Sequence, residues 1–281
     1  MMMSTTTTDL ITSALSRLKT GSARVEFIHK PHLSWPHPPK PNPRSSPGPG
    51  SIITTATSDS GVPVQVAVLD SSFNPPTLAH RALALLSVAS SPADARLLLL
   101  SVRNADKVPL PGDASPVQRV EMMVRLAHEV NAAVGLVDAP AFVHKAGILR
   151  TALPVGTQLT FVQGIDTLER FLAPRYYGDG SITAMHTAVR RFFAPDGDNS
   201  RIICTRRVVE LADPQRESTI FEAAREWVET NRVNIVDIDN EFQSYSSSEV
   251  RAKVRAKDSS WRQMVPNGIA EYIEENNLYL L

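Results

Sequence analysis

Residues 68–80 read VLDSSFNPPTLAH. The run leading into them, Val62 to Leu69, is apolar and β-branched, as in a strand. The residues after it carry turn chemistry, because asparagine and proline are excluded from the middle of a sheet. A helix is predicted from about Pro76, since a first helical turn accommodates proline and the ALALLSVA behind it is helix-forming. Positions three apart share a helix face, so Thr77 and His80 point together from that first turn. The turn's free N–H groups and dipole favour an anion. A strand, a proline turn and a helix also make up half of any βαβ unit, and a histidine near a helix start is often only a surface polar group. The outline of a phosphate site therefore needs support from the rest of the chain.

From about residue 62 onward six β-rich runs recur: VPVQVAVLD, ARLLLLSV, VGLVDA, QLTFVQG, SRIICT and VNIVDID. Helical patterns such as SPVQRVEMMVRLAHEV separate them. This alternation predicts an α/β domain over residues 62–281 with a doubly wound parallel sheet. Such sheets bind ligands where strands end and helices begin, which is where SSFNPPTLAH falls. Neither a Gly-rich dinucleotide fingerprint nor a Walker loop comes after the first strand.

Residues 1–61 are predicted to form an N-terminal helix and a Pro/Ser-rich extension. DLITSALSRL sets Leu10, Ile11, Ala14, Leu15 and Leu18 at amphipathic spacing. HKPHLSWPHPPKPNPRSSPGPG, residues 29–50, reads as a linker or extended strap, with Trp35 as a candidate anchor on the main domain. Removing residues 1–50 is expected to leave the chemistry largely intact. At 281 residues the chain can bury a sizeable core. Its 29 Lys plus Arg balance 29 Asp plus Glu, so no net field draws it to nucleic acid or anionic lipid, and a phosphate must be held by local groups. No apolar run approaches the roughly 18 residues of a membrane span. Neither a nucleic acid nor a membrane is expected as partner. The lone Cys204 allows no intrachain disulfide, and with no signal-peptide pattern the expected location is the cytoplasm, the nucleus also being open.

Five separated pieces line up with these strand ends: SSFNPPTLAH, SVRNADKVPLPGDASPVQRVEMMVRLA, FVQGIDTLERF, ICTRR and YSSSEVRAKV. Together they resemble the nicotinamide mononucleotide adenylyltransferases of the nucleotidylyltransferase superfamily. There a first motif reads GSFNP followed by T/H-x-x-H, a G-x-D motif lies mid-chain, and ISSTxIR lies near the end. The resemblance spans roughly residues 64–281 and includes the tail MVPNGIAEYIEENNLYL. It implies a Rossmann-like nucleotidylyltransferase fold and a reaction. The 5′-phosphate of nicotinamide mononucleotide attacks the α-phosphorus of ATP, giving NAD and pyrophosphate without a covalent enzyme intermediate. Nicotinic acid mononucleotide or a phosphopantetheine-like phosphate would be alternative acceptors. A reading of another class is a nucleotide-binding regulatory module without turnover.

The resemblance also implies roles. His80 donates to an α-phosphate oxygen with the Thr77 hydroxyl beside it, and the backbone of Ser71, Ser72 and Phe73 approaches the nucleotide. Lys107 and Arg103 meet phosphate; Gly164 gives backbone clearance and Asp166 takes a ribose hydroxyl. Arg206 contacts the triphosphate, or is only an exposed loop cation. Ser247 and Ser248 at a helix start hold the leaving phosphates, with Arg251 as a planar fork, although Ser246 and Glu249 alone would match a simple capping box. Arg119 and Met122 place their helix. Mg²⁺ is expected to enter with ATP, held largely by the phosphates, and no protein metal ligands are predicted. Three positions depart from the family pattern: Ser71 stands for glycine, Ser248 for threonine, and Glu249 for a frequent lysine. A serine at position 71 would be strained if the turn needs positive φ there. The tryptophan pair that flanks nicotinamide in eukaryotic relatives is absent. Phe142, Tyr176 and Tyr177 are expected to flank the pyridinium instead, and residues 178–200 to form an insertion over the acceptor.

Overall fold

Each predicted strand is apolar on both sides. Val66 and Val68 enter one core while Ala67 and Leu69 enter a second; Leu97 and Leu99 are opposed in the same way to Leu98 and Leu100. A sheet that is apolar on both faces must be covered on both, the condition for parallel strands joined by helices. The computed structural model describes residues 5–39, 63–86, 92–103, 112–206, 214–237 and 245–280.

In chain order the elements are α1 (Thr5–Lys19), β1 (Val25–His29), β2 (Gln65–Asp70), α2 (Leu78–Leu85), β3 (Ala95–Ser101), α3 (Pro116–Val130), β4 (Ala133–Val137) and α4 (Phe142–Ala152). After these come β5 (Gln158–Gly164), α5 (Ile165–Phe171), α6 (Ile182–Phe193), β6 (Arg201–Arg206), α7 (Pro214–Glu229), β7 (Val233–Asp237), α8 (Ser247–Arg255) and α9 (Asn267–Glu275). The sheet order is β1-β4-β3-β2-β5-β6-β7. All neighbours are parallel except β1 against β4. The six parallel strands have the doubly wound Rossmann order, reversing direction between β2 and β5. All six predicted runs are present as strands. Helices α1, α2 and α3 cover one face and α4 to α7 the other. A third core packs α8 and α9 on Ala114 and Met122 at the start of α3.

Several expectations change. Helix α2 begins at Leu78 rather than Pro76, with both prolines in the preceding turn. Residues 178–200 are not an insertion, although they border a pocket shared with α4, Tyr176 and Tyr177. They hold the crossover helix α6, whose Met185, Val189, Phe192 and Phe193 are buried in the core. Strand β1 escapes sequence reading because VEFIH is short, borders the proline-rich stretch and is half-buried at every position.

Strand β1 also alters the reading of the N-terminus. It pairs with β4 from Val25 opposite Val137 to His29 opposite Val134. Ile11, Ala14 and Leu18 of α1 are fully enclosed in the core with α3. Trp35 does anchor the proline-rich stretch: it is buried, with its ring 5.4 Å from that of Phe27. Glu121 of α3 accepts a 2.8 Å bond from the Thr8 hydroxyl and a second, short bond from the Tyr272 hydroxyl, joining α1, α3 and α9. Removing residues 1–50 would uncover the edge of β4 and the seat of α1, so the segment is built into the sheet and core, and chemistry that survives its removal would have to survive that exposure.

Leu18→Ala is expected to cost about 2–5 kcal/mol, the scale for an unfilled core cavity, as measured by urea unfolding; a cost near zero would show α1 to be undocked. His29 lies with its ring 4.6 Å from that of His128, and burial first, then the His128 charge, hold it below its ordinary value. The fold therefore accommodates neutral His29, and this stability is complete above pH about 6.5 and lost as pH falls through the lower folded value. Thermal midpoints should drop between pH 7 and 5, and by less in His29→Phe.

Candidate active site

The segment between β2 and α2 cannot satisfy itself. Pro75 and Pro76 bring no N–H, and the chain reverses at Phe73, whose φ of 43° is left-handed and whose ring is fully buried. The left-handed position thus falls on Phe73 and not on Ser71, so a serine is unstrained at position 71. The turn's acceptors are met from the far end of the chain. Asn74 O accepts from Arg251 Nη1 at 2.6 Å, Pro75 O from the Ser247 hydroxyl at 2.8 Å, and Asn74 Oδ1 from the Tyr279 hydroxyl at 2.9 Å.

This clamped turn presents Thr77 and His80 as a helix cap. Thr77 is the N-cap of α2; its hydroxyl oxygen accepts from the His80 N–H, and His80 Nδ1 accepts from the Thr77 N–H at 3.1 Å. A histidine thus fills the place usually taken by Glu or Gln in a capping box. Because the backbone N–H can only donate, Nδ1 is the acceptor and the neutral ring carries its proton on Nε2. That N–H donates to the Ser71 hydroxyl, 2.9 Å away. The expected pairing of Thr77 and His80 is therefore present, with the ring orientation fixed and a proton donor directed to the end of β2.

A cleft of about 1220 Å³ opens beside this turn at the carboxyl ends of the strands. Ser71 and Ser72 line it, as do Phe142, Tyr176 and Tyr177. Phe142 is held edge-on against Phe161 and Phe171 at 5.6 and 6.4 Å. Tyr177 is largely a core residue, its hydroxyl donating to Phe171 O at 2.5 Å, whereas Tyr176 is half-buried. Among the described residues the lining holds five cations, Lys19, Arg103, Arg119, Lys145 and Arg170, against three carboxylates, Asp70, Asp113 and Asp138. A chain with no net charge concentrates positive charge here, which suits phosphate. Arg103 is paired with buried Asp138 and holds its carboxyl below the usual range. Burial pulls the Arg119 guanidinium below its ordinary value; its Nε donates to Ala114 O at 2.9 Å.

Other candidates are placed differently. Arg251 spends Nη1 on Asn74 O, lies with Nε 3.2 Å from Asp113 and directs Nη2 to the Ser248 hydroxyl at 3.4 Å, so it clamps the turn rather than presenting a bare fork. The Ser247 hydroxyl is likewise bonded to the turn, while Ser248 is exposed at the start of α8. Ser246 is the N-cap of α8, accepting from the Glu249 N–H at 3.1 Å. Gly164, Asp166 and Arg206 sit at the ends of β5 and β6 and do not line the cleft. Asp166 faces Arg216 at 3.0 Å, and Arg206 forms a two-pronged pair with Asp237 at 2.8 and 3.0 Å. A Cβ added at Gly164 would meet nothing within 4 Å, and its φ of −83° needs no glycine, so the space above it is open to a ligand. Lys107 lies outside the described residues.

Sequence reasoning missed the carboxyl end of α1, where Lys19, Thr20 and Gly21 line the cleft, and the buried pair Asp70–Lys145. A lysine three residues after Phe142, inside the mostly apolar AFVHKAGIL, was the available signal for the latter. Tyr279→Phe removes one clamp from the turn and leaves Asn74 Oδ1 without its donor. It is expected to cost about 1–3 kcal/mol in chemical unfolding; an unchanged midpoint would mean that the contact carries no load.

No family model matches the chain. Among solved structures, the nicotinic acid mononucleotide adenylyltransferase of Plasmodium falciparum complexed with NaAD superposes with a TM-score of 0.54 at 14% identity, over 77% of this chain and 97% of that one. The same enzyme complexed with APC gives 0.52 at 14% identity and the same coverage. These likenesses confirm the Rossmann-like fold. A Schizosaccharomyces pombe protein named "Putative nicotinamide mononucleotide adenylyltransferase" is 30% identical over 222 residues, covering 74% of this chain and 84% of that protein. With that identity across most of both sequences, the chain belongs to the nicotinamide mononucleotide adenylyltransferase family.

Proposed function

We propose that the protein transfers the adenylyl group of ATP to nicotinamide mononucleotide, producing NAD and pyrophosphate. The observation that carries this reading is the His80 arrangement. An imidazole is locked by a helix cap with its Nε2 proton directed to the mouth of a positively lined cleft, at the point where the sheet order reverses. A phosphate oxygen of the acceptor attacks the α-phosphorus, the α–β bond breaks, and pyrophosphate leaves. Such chemistry asks the protein mainly for alignment and for donors where charge builds. His80 Nε2–H is that donor once the Ser71 hydroxyl yields to a phosphate oxygen, and the first turn of α2 adds its dipole. ATP enters as its magnesium complex, with the metal part of the substrate. Ser248 and the start of α8 lie beside the same turn and are available to the leaving phosphates.

On this reading Gly164, with open space above it, and Asp166 serve the nucleoside side, and Arg206 must exchange its bond to Asp237 before meeting a triphosphate. Phe142 and Tyr176 supply the aromatic wall for the pyridine ring. Nicotinic acid mononucleotide is a second acceptor reading, favoured by the excess of cations in the cleft lining. A single cysteine suits a reducing compartment, so the cytoplasm is the location we propose, with the nucleus as the second.

The experiment is pyrophosphate release from ATP and Mg²⁺ with nicotinamide mononucleotide, its nicotinic acid analogue, phosphopantetheine or no acceptor, with products identified by mass. NAD with stoichiometric pyrophosphate is expected; ATP binding without release in every case would refute the reading. His80→Ala should lower kcat by roughly 10²–10³ with little change in ATP affinity, the scale for losing one transition-state donor. Near-normal turnover would remove His80 from the mechanism.

A further inference from the structure

Asp70 and Lys145 form an ion pair whose side chains are only 7% and 5% exposed, yet both line the cleft. Asp70 ends β2, immediately before Ser71, and Lys145 lies one turn into α4, its Nζ 4.8 Å from the centre of the Phe142 ring. Burying two opposite charges gains little stability over a well-packed apolar pair of the same volume. The position of the pair points to a ligand. Lys145 gives one hydrogen bond, to Asp70 Oδ2, and among the described residues neither its other two N–H groups nor Asp70 Oδ1 has a hydrogen-bond partner. One buried ion pair therefore leaves donors and an acceptor side by side at the wall of the cleft, against the aromatic ring expected to stack on the pyridine.

A primary carboxamide offers the complement: one oxygen that accepts and one NH₂ that donates. Resting on the acceptor reading above, we propose that Asp70 and Lys145 read the C3 substituent of the pyridine nucleotide and select the amide over the acid. Lys145 Nζ donates to the amide oxygen and Asp70 Oδ1 accepts from the amide nitrogen. A carboxylate in the same place keeps the bond to Lys145 but sets an anionic oxygen against Asp70. A site built to hydrogen-bond a group discriminates strongly against an analogue that leaves its own polar atoms unmatched.

The two members should shift selectivity in opposite directions. In Asp70→Asn the repulsion is gone and the Lys145 charge is uncompensated, which favours nicotinic acid mononucleotide. Lys145→Gln leaves the Asp70 carboxylate uncompensated and disfavours it further. The full chain is incubated with ATP, Mg²⁺ and equal concentrations of the two mononucleotides, and the ratio of the two dinucleotide products is read by mass. This ratio does not depend on how much of each variant is folded. The native chain is expected to favour NAD, with a shift of about tenfold or more toward the acid product in Asp70→Asn and a shift the other way in Lys145→Gln. An unchanged ratio, or a shift in the same direction for both, overturns the proposal. So does loss of all turnover in a variant that remains folded by circular dichroism, since that assigns the pair to transfer rather than selection. If a single variant is too unstable to assay, the double variant Asp70→Asn/Lys145→Gln, which buries no charge, is expected to lose most of the selectivity, and retention of the native ratio overturns the pair's role. If the native chain makes neither dinucleotide, the adenylyl-transfer reading itself fails.

Discussion

The turn from Ser71 to Thr77 is held in place by residues more than 170 positions away. Its prolines deny it the N–H groups that would let a tight turn close on itself, and its buried carbonyls need donors. Arg251, Ser247 and Tyr279 supply them. The start of α2, the orientation of His80 and the mouth of the cleft all depend on that support. The C-terminal helices are therefore part of the site even where they touch no substrate. A guanidinium and a hydroxyl that resemble phosphate ligands in the sequence serve first to fix the backbone that carries the histidine.

Much of this architecture is legible in the residues alone. The six parallel strands can be read because each is a compact apolar run, and the strand-to-helix turn because proline and asparagine leave few alternatives. Thr77 and His80 can be paired by helical spacing alone. The features that cannot be read have physical reasons. Strand β1 draws its hydrogen bonds from β4 and its packing from α1, neither of which has a local signature in VEFIH. The family pattern puts a glycine at position 71 and so draws attention there for a left-handed residue, yet the turn uses Phe73, whose strain is offset by complete burial of its ring. Arg251 and Arg206 look alike as strand-end or helix-start cations; only their partners, Asn74 O with Asp113 for one and Asp237 for the other, separate them.

The electrostatics of the chain are local. Equal numbers of acidic and basic residues cancel over the whole molecule, while the cleft gathers more cations than carboxylates. Among the described residues each of its three carboxylates is committed to a cation: Asp70 to Lys145, Asp138 to Arg103, and Asp113 to Arg251 with Arg255 nearby. An anion approaching the cleft thus meets carboxylates that each have a cation beside them, an arrangement that depends on local pairs rather than on net charge.

The antiparallel pairing of β1 with β4 bears on how the chain is made. The two strands are separated by on the order of a hundred residues, so α1 and β1 leave the ribosome well before α3 and β4 exist to receive them. For that interval Ile11, Ala14 and Leu18 have only the neighbouring β1 to cover them, and the edge they will close has not been synthesised. Closing so long a loop before it is rewarded by contacts is slow. Assembly of the nascent chain is therefore set by arrival of the central strands, and α1 is the part most in need of shelter until they do.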